Sequence, residues 1–403
     1  MSTRTTVIIP TFNRAEYLGD AIRSLLNQTV RPDEIIIVND GSTDRTEEVA
    51  LGFGSEVKYV KKSNGGKSSA LNLAMRMATD ADYIWIFDDD DLALPDALEK
   101  LKNALDSNPE ASFSYGWFDF FSKVGPEGVE GREPVFRNII SGQGTYCALM
   151  TKCFIIQPGL LVRKSCYDAV GDFNERLIRS QDYEMILRIS RTYSGVQVPG
   201  LMFLHRVHDG VRGSQNLQIE SSEKEKTWRE FDRVFFKEIY LSHDVFEFFP
   251  SEEGSGIRSG LKRFRSLLQR SAVMARKGLW TYAADDLISA MNVAKAERIQ
   301  ALEAMDRDIL SSSLEEYAFG LPAEAGTSLY ISACNTLLDS SIGKKMASAL
   351  IWSYPYHVKR ELLGKRPMAA FNVLRATARI GGVPLLIRTL FEKKIYKVSN
   401  API

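Results

Sequence analysis

The chain has 403 residues, 44% of them apolar and 25% charged, which suits two or three globular domains and excludes a disordered or collagen-like chain. Its 51 basic and 51 acidic side chains cancel, yet residues 1–220 hold 24 basic against 30 acidic and residues 221–403 hold 27 against 21. The two halves therefore face different partners.

From the N-terminus, short apolar runs alternate with helix-like segments. Thr6 to Ile9 precedes Ala15 to Gln28, and Ile35 to Val38 precedes Asp44 to Leu51. Val57 to Val60, Lys67 to Thr79, Tyr83 to Phe87 and Asp96 to Leu105 continue the series. Continuous β-branched runs suit strands covered on both faces, and the alternation predicts an α/β fold with a mainly parallel sheet and right-handed crossovers. Residues 111 to 163 read as irregular strands and loops, with Gly125 to Gly131 a mobile loop, and Gln181 to Arg191 reads as a helix.

After residue 220 the apolar spacing becomes helical throughout, predicting an all-α C-terminal region. Pro250 to Gly260 reads as a linker, so the expected division is a catalytic domain at 1–220, a connection at 221–260 and a helical domain at 261–403. The helices around Gly278 to Ala283 are similar to one tetratricopeptide hairpin, but a single unit is not an array. Cys147, Cys153, Cys166 and Cys334 show neither zinc-ligand spacing nor a disulfide framework. With no export signal and no run of 18 uncharged apolar residues, the expectation is a cytoplasmic protein, or one peripheral on the inner face of the cell membrane.

In open α/β sheets ligands bind beyond the carboxyl ends of the strands. The residues after the four apolar runs are all polar: Pro10-Thr11-Phe12-Asn13-Arg14, Asn39-Asp40-Gly41-Ser42, Asn64-Gly65-Gly66-Lys67 and Asp88-Asp89-Asp90-Asp91. Four adjacent carboxylates repel one another unless a cation neutralises them, and hard oxygen ligands select magnesium, manganese or calcium. A solvated acidic loop leading into the helix near Asp96 is the plain structural alternative. Asn-Asp-Gly alone is a turn signal, although Asp40 could accept a hydrogen bond from a nucleobase ring N–H. Gly65-Gly66-Lys67 opens a helix, where free N–H groups and the ammonium would attract an anion, but Lys61 stands where a Walker A motif needs glycine.

Together, Ile8 to Arg14, Val38 to Ser42, Asn64 to Gly66 with Asn72, and Phe87 to Asp91 occur in the order and spacing of family two glycosyltransferases. The resemblance covers about residues 5 to 215 and implies a GT-A fold, a mainly parallel sheet with helices on both faces. It implies a nucleotide-diphosphate sugar donor, with a uridine nucleotide as first choice, held by Pro10, Thr11, Asn13, Arg14, Asp40, Gly65, Gly66 and Lys67, with Asp88 and Asp89 near the ribose and sugar. Asp90 would ligate Mn2+ or Mg2+, with His208 as a second contact and Asp91 behind it. On electrostatic grounds Arg206 and Arg212 could meet the diphosphate. The family's Glu-Asp pair aligns with Gln181-Asp182, downstream of Gly171-Asp172-Phe173-Asn174-Glu175. Asp182 matches the general base of an inverting transfer to a hydroxyl acceptor, while Gln181 replaces the usual Glu. Asp182 and Glu184 could instead merely complement a helix dipole.

Lys359 to Lys397 carries ten basic and two acidic residues interleaved with aromatics and leucines. This suits an anionic membrane surface presenting a lipid-linked acceptor, although a solvated helical face or a homo-oligomer interface explains it equally well. Nucleic acid is not expected, because the catalytic half is acidic and no binding motif accompanies the basic residues. A catalytically inactive nucleotide-sugar or carbohydrate-binding scaffold is the competing reading, with Gln181 the feature that favours it.

Overall fold

Runs such as Ile35-Ile36-Ile37-Val38 have no polar side to turn to water and must be covered twice. The computed structural model describes residues 3–125, 128–135, 144–207, 224–250, 256–317, 322, 326–381, 384, 385 and 389. Its N-terminal elements are β1 (Thr5–Thr11), α1 (Leu18–Leu26), β2 (Glu34–Asn39), α2 (Thr46–Leu51), β3 (Lys58–Lys61), α3 (Lys67–Met77) and β4 (Tyr83–Ile86). β5 (Leu92–Ala93), α4 (Ala97–Asp106), β6 (Phe113–Phe121), β7 (Lys123–Gly125), β8 (Gly128–Glu130), β9 (Glu133–Pro134) and α5 (Thr145–Thr151) follow. β10 (Leu160–Arg163), α6 (Lys164–Val170), α7 (Gln181–Thr192) and β11 (Gly195–Arg206) complete the sheet-bearing part.

The strands form a nine-stranded sheet in the order β3-β2-β1-β4-β10-β6-β11-β5, with β9 also paired to β6. β3, β2, β1 and β4 are mutually parallel, with Val7 in register between Ile35 and Trp85. One face packs Val7, Ile9, Ile37 and Trp85 against Leu18, Ile22 and Leu25 of α1 and Leu98 and Leu101 of α4. On the other, α3 lies on β1 and β2 with Ala70, Leu71 and Ala74 buried. This is the α/β layer expected, and its parallel strands deliver residues 10–14, 39–42, 62–66 and 88–91 to one edge. β3 borders the sheet with Lys58 and Lys61 exposed, charges that discourage strand addition.

Residues 111 to 163 are more regular than their sequence suggests. β6 is a nine-residue strand in the middle of the sheet, antiparallel to β10 and parallel to β11. Gly116 leaves the room that Met202 of β11 fills; a Cβ there would stand 2.6 Å from Met202 Cγ. The segment expected as a mobile loop instead contains the β7–β8 hairpin, with Gly125 opposite Gly128.

Two packed units emerge: Met1–Ile140 with Lys152–Phe231, and Ser141–Thr151 with Asp232–Ile403. Residues 141–151 thus fall with the helices, unlike the expected 1–220 domain. The cause is apolar: Cys147, Ala148, Leu149 and Met150 of α5 are all buried, Cys147 Sγ donates to Phe248 O, and Gln269 donates to Thr151 Oγ1 at 2.8 Å. The helical unit takes the end of α8 (Lys224–Ser242), then α9 (Ser259–Arg276), α10 (Trp280–Ala296), α11 (Ala304–Leu314), α12 (Thr327–Thr336), α13 (Ser341–Leu350), α14 (Tyr354–Leu363) and α15 (Pro367–Arg379). α9 and α10 pack together across a turn in which Gly278 takes φ +71° and the Leu279 N–H reaches Met274 O. This Schellman closure explains the glycine. Among the described residues no helix is long and apolar enough to cross a membrane. The expected linker falls partly at residues 251–255, outside the described residues.

Candidate active site

Each parallel strand ends in a group that turns the chain sharply. Asp40, after β2, is buried, and both its carboxylate oxygens accept hydrogen bonds: Oδ1 from Lys62 Nζ (2.7 Å) and Gly65 N (2.9 Å), Oδ2 from Gly66 N (2.7 Å). Asn64 Nδ2 adds a bond to Asp40 O at 2.8 Å. The Gly65-Gly66 amides, expected free for an anion, are therefore taken up by a carboxylate. Sequence reading missed Lys62, whose only signal was its place one residue beyond β3. Gly41 makes the turn possible: its φ is +80°, and a Cβ would come within 2.8 Å of Asn64 N. Gly41→Ala should therefore open this clamp, read as a lowered urea midpoint.

After β1, Asn13 sits at φ +52°, its Oδ1 accepting from Thr43 N and its N–H donating to Ser42 Oγ. These bonds hold the β1 turn against the β2 turn. Pro10, Thr11 and Arg14 line the cleft, with Arg14 Nε 3.8 Å from Asp89.

The four aspartates after β4 separate into distinct tasks. Asp88 accepts from Lys67 Nζ at 2.6 Å. Asp89 lies half-buried beside Asp90, and desolvation followed by that neighbouring charge pushes its carboxyl up to about 7, with Arg14 opposing. Asp91 points away from the cleft. It is fully buried, accepts from Arg206 N at 2.9 Å, and lies 3.1 Å from His205 Nδ1; burial lifts it to about 6 although His205 opposes the shift. Asp88, Asp89 and Asp90 all line the cleft.

Arg206 is not a diphosphate contact. Its guanidinium is buried over the rings of Tyr17 and Phe121, and its Nε donates to Asp90 O at 2.7 Å. It braces the acidic turn by its backbone. His205 stacks edge-on with Phe118 and Phe120. His208 and Arg212 lie outside the described residues.

Asp182 is the second residue of α7, which starts at Gln181 after Ser180 in the left-handed region at φ +59°. Its Oδ1 accepts from Tyr183 N at 2.9 Å, and its charge, with those of Asp88 and Asp89, raises the Lys67 ammonium above its ordinary pKa even though burial opposes this. Lys67 therefore feels both the strand-end carboxylates and Asp182. Gln181 is buried in the cleft wall, and its Oε1 is sealed from solvent without a hydrogen-bond partner.

The segment leading to Asp182 is fixed by a residue far away in sequence. Asn72 of α3 is buried, accepts from Phe173 N (2.8 Å), and donates to Phe173 O (3.0 Å) and Glu175 Oε1 (2.9 Å). Asn72→Ala would leave the Phe173 amide groups unpaired, at a cost of about 1–3 kcal/mol for each buried group. We expect a lowered unfolding midpoint and a fall in kcat larger than any change in KM for donor.

These groups surround a cleft of about 670 Å3. Its polar floor holds residues 10, 11, 14, 40, 64–68 and 88–90; Phe118, Phe120, Ile156, Leu177, Ile178 and Trp228 form an apolar wall. Phe118 and Phe120 come from β6, Trp228 from α8, and Ile156, Leu177 and Ile178 from the connections before β10 and α7.

Does the acidic turn suit a divalent cation? Among the described residues no three His, Cys, Asp or Glu side chains converge to hold an ion unaided. Asp88, Asp89 and Asp90 nevertheless bring three carboxylates to the cleft, with Arg14 near Asp89 and Lys67 on Asp88. That pattern fits a cation held by one or two carboxylates and completed by substrate oxygens and water, a common mode for Mg2+.

A parallel α/β sheet with an acidic turn at the end of β4 and a carboxylate on a facing helix defines a GT-A fold. Residues 6–170 match the family described as glycosyl transferase family 2. An uncharacterized glycosyltransferase of Rickettsia typhi is 32% identical over 251 residues, 58% of this chain and 72% of that protein. One from Rickettsia conorii is 31% identical over 241 residues, 57% of this chain. The chain spans 38% of the R. conorii protein's length. Among solved structures, S. aureus TarS 1–349 in complex with UDP-GlcNAc shares 14% identity at a TM-score of 0.46, covering 92% of this chain and 90% of that one. The chain belongs to glycosyl transferase family 2.

Proposed function

We propose that the chain transfers a sugar from a nucleotide-diphosphate donor to a hydroxyl of a glycan or lipid-linked acceptor, with inversion at the anomeric carbon. The observation that carries this is the meeting of two acidic groups in one cleft, Asp88 to Asp90 after β4 and Asp182 of α7. The first unit, centred on the sheet, is the catalytic part.

Asp182 accepts the proton of the acceptor hydroxyl as its oxygen attacks the anomeric carbon. Its Oδ1 is anchored by the Tyr183 N–H, which fixes the direction from which the base reaches in. Lys67 supplies a cation: it holds Asp88 and would meet negative charge as it grows on a leaving diphosphate. Pro10, Thr11 and Arg14 flank the nucleotide end, and Asp40 keeps the glycine turn closed beneath it. Asp90, with Asp89 adjacent, would hold Mn2+ or Mg2+, which supplies charge neutralisation at the diphosphate when bound. Phe118, Phe120 and Trp228 offer flat apolar faces against which sugar rings pack.

The test is release of nucleoside diphosphate from UDP-, GDP- and dTDP-sugars with Mn2+ or with chelator. Slow metal-dependent release from at least one donor is expected, and chelator should abolish it. The second reading, a binding scaffold without turnover, draws on the Gln181 amide, which lacks the charge the family pattern supplies. It predicts that a donor raises the melting temperature while no nucleotide is released.

A further inference from the structure

The end of the helical unit carries a surface that sugar transfer does not use. α14 closes in a Schellman turn: Lys365 takes φ +56°, its N–H reaches Leu362 O, and the Arg366 N–H reaches Glu361 O. Pro367 then starts α15 at once, so the two helices pack as a hairpin. On α15 the positions 370, 373, 376, 377 and 380 are buried. Met368, Phe371 and Leu374, at i, i+3 and i+6, lie on the opposite side and are exposed, Met368 by 71% and Phe371 by 58%. Leu363 at the end of α14 is 74% exposed. Val373 and Ile380 are buried on one side while Met368, Phe371 and Leu374 stay exposed on another, so α15 is apolar beyond the face its own unit covers.

Charge identifies the occupant. Residues 354–381 contain six basic side chains and one acidic one. That acid, Glu361, is buried and paired with Arg360 Nε (3.0 Å) and Arg366 Nε (2.8 Å), so the outward charge of the hairpin is positive. Arg375 and Arg379 follow Phe371 at helical spacing, placing cations beside the apolar row. Apolar side chains that insert at the acyl boundary, flanked by arginines at headgroup level, are what an anionic bilayer surface binds. A second copy of this chain would bring like charges together, and a nucleic acid would have no use for the row of Met368, Phe371 and Leu374.

We infer that the α14–α15 hairpin docks the protein on an anionic membrane surface. The inference does not depend on sugar transfer, although it deepens the reading of a lipid-linked acceptor by saying where the enzyme would meet it. The full chain should float with phosphatidylglycerol–phosphatidylcholine vesicles, remain unbound with phosphatidylcholine alone, and release at high salt. Neutralising two charges in R375Q/R379Q should weaken partition about 30-fold, and M368S/F371S should abolish it. Both variants alter exposed side chains, so circular dichroism and nucleotide release from a soluble donor should match the unaltered chain.

Absence of flotation by the unaltered chain overturns the inference, as does undiminished flotation of both variants. A dimer in light scattering that M368S/F371S converts to monomer, without vesicle binding, would assign the face to a second copy and overturn it too. Tight binding to an RNA oligonucleotide in place of vesicles would do the same. None of these results bears on donor release, which tests the proposed function separately.

Discussion

Asp182→Asn is expected to lower turnover by about 10²–10⁴-fold while leaving donor binding intact, the range general-base assistance supplies. The amide is nearly isosteric, and its carbonyl can still accept the Tyr183 N–H that anchors the carboxylate, so α7 should keep its start. What the variant loses is proton affinity at the point of attack. It also removes one of the charges that hold the Lys67 ammonium above its ordinary pKa, so Lys67 should lean further toward Asp88. Donor affinity by calorimetry, beside single-turnover transfer, checks both. Undiminished transfer would remove Asp182 from the chemistry, and lost donor binding would mean that it shapes the pocket instead.

Asp90→Ala is the second large effect. We expect metal-dependent donor binding to collapse and turnover to fall on the order of 10²–10³-fold, comparable with the loss of one stabilising group at a developing charge. The fold should survive, because Arg206 grips the Asp90 carbonyl oxygen, which alanine keeps. Asp91→Ala makes the contrast. That change removes the carboxylate that accepts from the buried Arg206 N–H and lies beside His205, so it should lower stability before it touches donor affinity. Titrating Mn2+ into each variant with donor present separates the two aspartates. Equal metal dependence in both would undo the assignment of Asp90.

The sheet was legible because Ile35 to Val38 and Tyr83 to Phe87 are apolar on both sides, a pattern only a buried parallel strand tolerates. The cleft floor followed, since parallel strands send their carboxyl ends to one edge. What sequence could not supply was partnership across distance. Four aspartates in a row look equivalent, and only folding shows that Asp91 faces inward to Arg206 and His205 while its neighbours face the cleft. Gly65 and Gly66 read as an anion cradle because their N–H groups open α3; the Asp40 carboxylate that occupies those groups comes from another strand. Asn72 stood out within the motif, but its use, pinning Phe173 and Glu175 upstream of Asp182, needed three dimensions. β6 escaped notice because Ser114 and Gly116 interrupt its apolar run, and both are buried for packing reasons local to β6, α4 and β11.

α5 has a bearing on how this protein can be dissected. Because its buried face belongs with Phe248, Gln269 and Arg276, no single truncation divides the gene product into two self-sufficient fragments. A polypeptide starting at Asp232 would leave uncovered the surface that Cys147, Leu149 and Met150 occupy, and should precipitate when expressed. On the ribosome the same topology means that α5 emerges early and waits, apolar side bare, until the later helices are synthesised. Co-expressing the α5 peptide with the 232–403 fragment should therefore rescue its solubility.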